Sequence, residues 1–144
     1  MSPPDDFDLK DFTPYMLAMA AETASEDFQR FYRSRYGMLR TEWRVLFHLG
    51  RYGGMTAKSI CDRARLHKTK VSRAVAALEA KRFLTRQTND ADRRHEDLAL
   101  TRQGRAAYDA LSLEARRFDE DMMRDFTPEE RAVLRRCLHR IADL

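Results

Sequence analysis

Apolar positions recur along this chain at helical spacing, interrupted by a small set of caps and glycines. Thr13-Pro14 reads as a cap followed by proline at the first helical position. From there Tyr15, Leu17, Met19, Phe28, Phe31, Tyr32 and Tyr36 mark a long helix. Gly37 ends it, because glycine takes the left-handed conformation of a helix C-terminus without strain. Thr41 is expected to cap a second helix bearing Trp43, Leu46, Phe47 and Leu49, closed by Gly53-Gly54. Thr56 opens a short helix around Ile60 that ends near Ala64. The chain turns helical again over 67–81, where Val71, Val75 and Leu78 fall at i, i+4 and i+7. Then the pattern changes. Residues 83–88 and 97–101 are short runs of apolar and β-branched residues on either side of a polar stretch, 89–96, which predicts a β-hairpin with a long charged tip. Thr101 can cap a helix carrying Ala106, Tyr108, Leu111, Leu113, Phe118 and Met122. Thr127-Pro128-Glu129-Glu130 is a capping box before a last helix with Val133, Leu134, Leu138 and Ile141.

The order is two helices, a short helix, a longer one, a hairpin and two more helices. A short helix joined by a tight turn to a longer one, with a hairpin directly after, predicts a mainly α fold built on a winged helix-turn-helix: about six helices and a wing of two or three strands. The longer helix can be resolved by angle. With Val71, Ala74, Val75 and Leu78 facing inward, Thr69, Arg73 and Ala76 point directly away, flanked by Lys70 and Ser72. That outer face starts at Lys68 and carries no acid before Glu79. A merely solvated helix more often shows Glu/Lys pairs there. Small residues let a helix sit deep in a major groove, and an arginine can bond guanine with both arms.

Composition bounds the remaining choices. The 144 residues, 43% of them hydrophobic, suit one ordinary domain, and no apolar run approaches bilayer length. The proline- and aspartate-bearing start resembles no signal peptide, so a cytoplasmic protein without a membrane partner is expected. The net charge of +4 is unevenly spread: residues 40–105 hold 16 Lys and Arg against 7 Asp and Glu, leaving the remainder at −5. A basic centre between acidic flanks suits a polyanion ligand. His48, His67, His95 and His139 sit on unrelated elements, and there is no phosphate loop, HExxH or other cofactor motif, so no enzyme, cofactor or metal is expected. Cys61 reads as a small buried hydrophobe, and Cys137 lies two residues from His139, too close in sequence for both to face one metal from a helix.

Lys70-Val71-Ser72-Arg73, Leu78-Glu79, Phe83-Leu84-Thr85-Arg86, Asp92-Arg93-Arg94 and Leu100-Thr101-Arg102-Gln103-Gly104 together resemble the multiple-antibiotic-resistance regulator (MarR) family, as does Trp43-Arg44-Val45-Leu46. The resemblance spans nearly the whole chain. It implies a homodimeric transcription regulator of 1–144 as one domain, with dimerisation helices at 14–37 and 102–144 and a DNA-binding lobe at 41–101. By that implication the helix enters the major groove of a pseudo-palindromic operator and Lys70, Ser72 and Arg73 contact DNA; Lys68 and Thr69 on the same face join them as candidate DNA-binding residues. Arg94 enters the minor groove with Arg93 beside it, and Asp92 positions it. Two departures stand out: Arg82 where the family has glycine, and Asp90 where its wing often has proline.

Many members of that family respond to small aromatic or phenolic compounds. In this chain the corresponding place would be lined by Phe28, Phe31, Tyr32, Trp43, Phe47 and His48, with Arg44 as a carboxylate partner; the same aromatics at helical spacing also suit plain core. Repression by occluding polymerase is the family's commoner mode. A redox- or metal-responsive regulator and a non-catalytic helical interaction module are the competing classes, and steep salt dependence of duplex binding separates the last from a DNA reader.

Overall fold

The computed structural model describes residues 6–89 and 91–144, the side chains of Asn89, Asp92, Arg93 and Arg94 excepted. After a short 3-10 helix, Leu9–Asp11, come α1 (Thr13–Tyr36), α2 (Arg40–Tyr52), β1 (Met55–Thr56), α3 (Ala57–Ala64), α4 (Lys68–Ala80), β2 (Leu84–Asn89), β3 (Asp92–Leu100), α5 (Arg102–Met122) and α6 (Pro128–Ala142). The mainly α winged helix-turn-helix expected from the pattern is the architecture found. The chain divides into two compact units, Met1–Tyr108 and Asp109–Leu144.

In the first unit, α2, α3 and α4 close on one apolar core. Val45, Leu46, Leu49, Ile60, Val71, Val75, Leu78, Leu84 and Leu98 are all buried. Each such side chain stabilises the fold by roughly 1.5–3 kcal/mol when taken from water. The sheet is antiparallel in the order β1-β3-β2. Met55 pairs with Leu98, and Leu84 with Leu100, so the buried leucines of both long strands face the helices. β1, too short for any pattern to announce, ties the start of α3 to the wing.

Four local expectations are corrected. Thr13 does not cap α1: Phe12 holds that position, and Thr13 is the first helical residue ahead of Pro14. Thr41 does not cap α2 either. Leu39 precedes the helix, and the Glu42 carboxylate accepts the Leu39 N–H at 3.1 Å, doing the work expected of the threonine. The hairpin tip is shorter than read, because β2 and β3 continue through the polar stretch, with a register shift between Thr88 and Asn89. On α5 the buried alanine is Ala107 rather than Ala106, and Leu113 and Met122 are exposed.

Other signals act as read. Gly37 ends α1 at φ 64°. Thr56 accepts the Ser59 N–H, and Thr127 and Glu130 form the reciprocal capping box of α6. Along α6, Val133, Leu134, Leu138 and Ile141 share one face, and all four are exposed in the single chain. Among the described residues no helix is long and apolar enough to cross a membrane.

Candidate nucleic-acid interface

α3 ends at Arg65 with a left-handed backbone, φ 54°, and the Leu66 N–H returns to the Cys61 carbonyl at 3.2 Å. His67 then starts α4, its Nδ1 accepting the Thr69 N–H at 3.2 Å. The connection is three residues long, which is what a helix-turn-helix requires. On α4 Val71, Ala74, Val75 and Leu78 are between 0% and 3% exposed, while Lys68, Thr69, Lys70, Ser72, Arg73 and Ala76 are exposed. The sequence-predicted face is therefore brought together on one surface. Among the described residues none of Lys68, Lys70 and Arg73 is in an ion pair, and the helix N-terminus adds its own positive end.

Asp92, Arg93 and Arg94 open β3, and their side chains lie outside the described residues, as does Asp90 altogether. Beside α4 runs a cleft of about 270 Å³ lined by Thr56, Ala57, Lys58, Ser72, Val75, Arg86, His95, Glu96 and Leu98. Lys58, His95 and Arg86 were not among the site residues read from the sequence. No hydrophobic period marks them, since only the tertiary pairing of α3, α4 and the wing sets them side by side.

The exit of α4 shows why two motifs read as they do. The Phe83 N–H bonds the Leu78 carbonyl and the Arg82 N–H the Glu79 carbonyl, both at 2.9 Å, with Arg82 left-handed at φ 63°. This is the closing geometry that glycine favours, held here by an arginine. The Thr101 hydroxyl donates to the Arg82 carbonyl at 2.6 Å and accepts the Gly104 N–H at 3.0 Å, so it caps α5 while gripping the end of α4. A side chain at Gly104 would overlap the Phe83 carbonyl oxygen. Leu100-Thr101-x-x-Gly104 is thus a backbone clasp between the α4 exit and α5.

The aromatic residues meet each other directly. Trp43 lies 5.4 Å from Phe28, 5.8 Å and parallel to Tyr32, and 4.8 Å from Phe47, while Phe31 stacks on Phe28. Phe28 and Tyr32 are buried. Burial pushes the Tyr32 hydroxyl above its ordinary range, and Arg40 and Arg44 pull it partly back. Burial, and then Arg40, weaken the hold of Arg44 on its proton, with Tyr32 opposing. His48 Nδ1 donates to the Arg44 carbonyl at 2.7 Å, since that oxygen can only accept. The Trp43 indole N–H is buried without a partner among the described residues. Cys61 is half-buried rather than buried, and Cys137 is exposed.

Residues 36–95 match the model of the MarR family. An uncharacterised helix-turn-helix transcriptional regulator of Bacillus subtilis, YwoH, is 26% identical over 113 residues, 78% of each chain. A MarR/EmrR family regulator from Acinetobacter sp. ADP1 superposes with a TM-score of 0.84 at 23% identity, covering 95% of this chain and 96% of that one. Bordetella bronchiseptica BpsR, whose DNA binding is regulated by 6-hydroxynicotinic acid, superposes at 0.86 with 20% identity and 99% coverage of both. The resemblance read from the motifs stands over residues 36–95, and the fold is one shared with a solved regulator of that family.

Proposed function

With the MarR-family pattern over residues 36–95 as premise, we propose that this chain is a homodimeric transcription repressor that binds a pseudo-palindromic duplex and responds to a small aromatic ligand. The observation that carries the reading is the α4 face: exposed Lys68, Thr69, Lys70, Ser72 and Arg73 above a fully buried stripe, with no carboxylate until Glu79. Arg73 bonds a guanine edge with both arms, Lys68 and Lys70 take phosphates, and Thr69 and Ser72 reach bases or phosphates. Asp92, Arg93 and Arg94 form the minor-groove contact of the wing, where the potential is most negative and a guanidinium is best accommodated.

The dimer reading is supported by α6, whose apolar stripe is exposed in the single chain. Residues 14–37 and 102–144 supply the pairing helices and 41–101 the reading lobe of one domain, 1–144. A two-fold pair then engages half-sites about one helical turn apart, and repression follows from occluding polymerase. The ligand reading is supported by the regulation of BpsR by an aromatic acid. It also draws on Arg44 and the unpartnered Trp43 indole beside Phe28, Phe31, Tyr32, Phe47 and His48. A carboxylate placed there would relieve the disfavoured charge of Arg44 and accept from the indole.

The test is fluorescence anisotropy on duplexes selected from a random pool, titrated at several salt concentrations. Affinity should fall steeply with salt as counterions are released. Arg73→Ala should lose about 1–3 kcal/mol of discrimination at one base pair, and Arg94→Ala should weaken all duplexes more evenly. Variants that both bind like wild type would overturn the assignment.

A further inference from the structure

A head that reads two grooves at once must hold its helix and its ribbon at one fixed angle, because the grooves of a duplex are themselves fixed in separation. Arg86 sits where that angle is set. It stands on β2 opposite Leu98 of β3. Its Nε lies 3.3 and 3.2 Å from the two carboxylate oxygens of Glu79, near the end of α4. Its Nη1 donates to Glu96 on β3 at 3.3 Å. One guanidinium therefore joins the recognition helix to both wing strands, at the edge of the cleft that Ser72, Lys58 and His95 also line.

Two simple accounts of this cluster fail. The side chains are 39%, 45% and 48% exposed, and ion pairs so open to water add little to folding stability. Nor does the cluster attract DNA, since two carboxylates around one arginine leave it net negative on a face proposed to meet phosphates. Geometry is the remaining account. A planar guanidinium shared between two carboxylates fixes orientation as a single ammonium cannot. We infer that Arg86 is a positioning residue: its fork, spanning Glu79 and Glu96, sets the angle between α4 and the β2–β3 ribbon. It thereby restricts binding to duplexes that both parts can engage together. This rests on the DNA-reading function proposed above.

Positioning and electrostatics predict opposite signs on the preferred duplex. Removing a carboxylate near phosphates should tighten binding to any duplex. If the cluster positions the wing, Glu79→Gln and Glu96→Gln tighten binding to random DNA yet weaken binding to the preferred site.

The experiment uses the full chain, a duplex enriched from a random pool by the wild-type protein, and a scrambled duplex of equal length. Anisotropy titrations are run with Glu79→Gln, Glu96→Gln, Arg86→Gln and Arg86→Lys, beside thermal melts and hydroxyl-radical footprints. We expect melting close to wild type for all four. Both carboxamide variants should bind the scrambled duplex at least as tightly as wild type and the enriched duplex about tenfold more weakly, a loss comparable to one base contact. Arg86→Lys, with the charge but not the fork, should fall between wild type and Arg86→Gln. Minor-groove protection should fade while major-groove protection persists. Equal tightening on both duplexes would reduce the cluster to electrostatics and overturn the inference, as would unchanged binding by all four variants or a parallel loss with lowered melting. A wild-type protein that enriches no sequence would overturn the DNA-reading function itself.

Discussion

Replacing Gly104 by alanine tests the clasp between the α4 exit and α5 through the sign of its effect. Gly104 lies in the first turn of α5. At an unobstructed helical position, alanine in place of glycine stabilises by about 1 kcal/mol, through reduced backbone freedom in the unfolded chain. Here a Cβ would overlap the Phe83 carbonyl oxygen and stand 2.8 Å from its carbon, closer than real Cβ atoms come to a neighbour. That carbonyl is held by the Thr101 N–H at 3.0 Å, and the neighbouring Arg82 carbonyl by the Thr101 hydroxyl. The backbone can yield only by loosening those bonds, so overpacking at the upper end of its usual range, about 3 kcal/mol, is expected. Subtracting the helical gain leaves a net loss of about 2 kcal/mol, a fall in melting midpoint of roughly 6 °C for a chain of this size. Thermal circular dichroism reads the midpoint, and urea titration with an unchanged slope confirms that stability rather than compactness has moved. Gly37→Ala is the contrast, with open space around the Cβ but φ +64°, where left-handed strain alone costs about 1 kcal/mol. A Gly104→Ala variant that melts at or above wild type would refute the close approach and the clasp argued from it.

Arg82→Gly should raise stability by about 0.5 kcal/mol, since relief of the left-handed strain at φ 63° slightly exceeds the added freedom of the unfolded chain; a matched pair of urea titrations decides it. Thr101→Val removes both the α5 cap and the grip on the Arg82 carbonyl and should cost about 2 kcal/mol, against roughly 1 kcal/mol for a cap alone. Tyr32, raised by burial despite Arg40 and Arg44, should ionise above the ordinary tyrosine range, read as the phenolate absorbance that Tyr32→Phe removes. Because its folded-state pKa lies above the unfolded one, its contribution is complete below the ordinary tyrosine range and is lost as pH rises through the folded value, so stability should decline on the alkaline side only.

The parts of the molecule legible in advance were those in which one face is dry. α4 was resolved residue by residue, because Val71, Ala74, Val75 and Leu78 pack on α2 and α3 and leave the opposite face to solvent. The outer hairpin was not, since it leaves the core and its strands lose the alternation that betrays a half-buried ribbon. Thr13 and Thr41 misled for another reason. A threonine near a helix start looks like a cap, yet the first backbone bonds, Met16 N–H to Phe12 and Trp43 N–H to Leu39, begin one and two residues earlier. Lys58, His95 and the Arg86 cluster depend on contacts between different elements, which no period within one element encodes.

The clasp and the Arg86 cluster divide one mechanical problem between them. Thr101 and Gly104 lock the exit of α4 to the start of α5 through the Thr101 hydroxyl and N–H and a close backbone approach that leaves no room for a side chain at Gly104. Arg86 joins α4 to the wing through exposed side chains, which add little to folding stability while the shared fork sets orientation. Thr101 and Gly104 thus fix the α4 exit against the start of α5, and the Arg86 fork fixes the ribbon against α4. Changes at Thr101 and Gly104 should then register in folding stability, and changes at Arg86 in duplex preference.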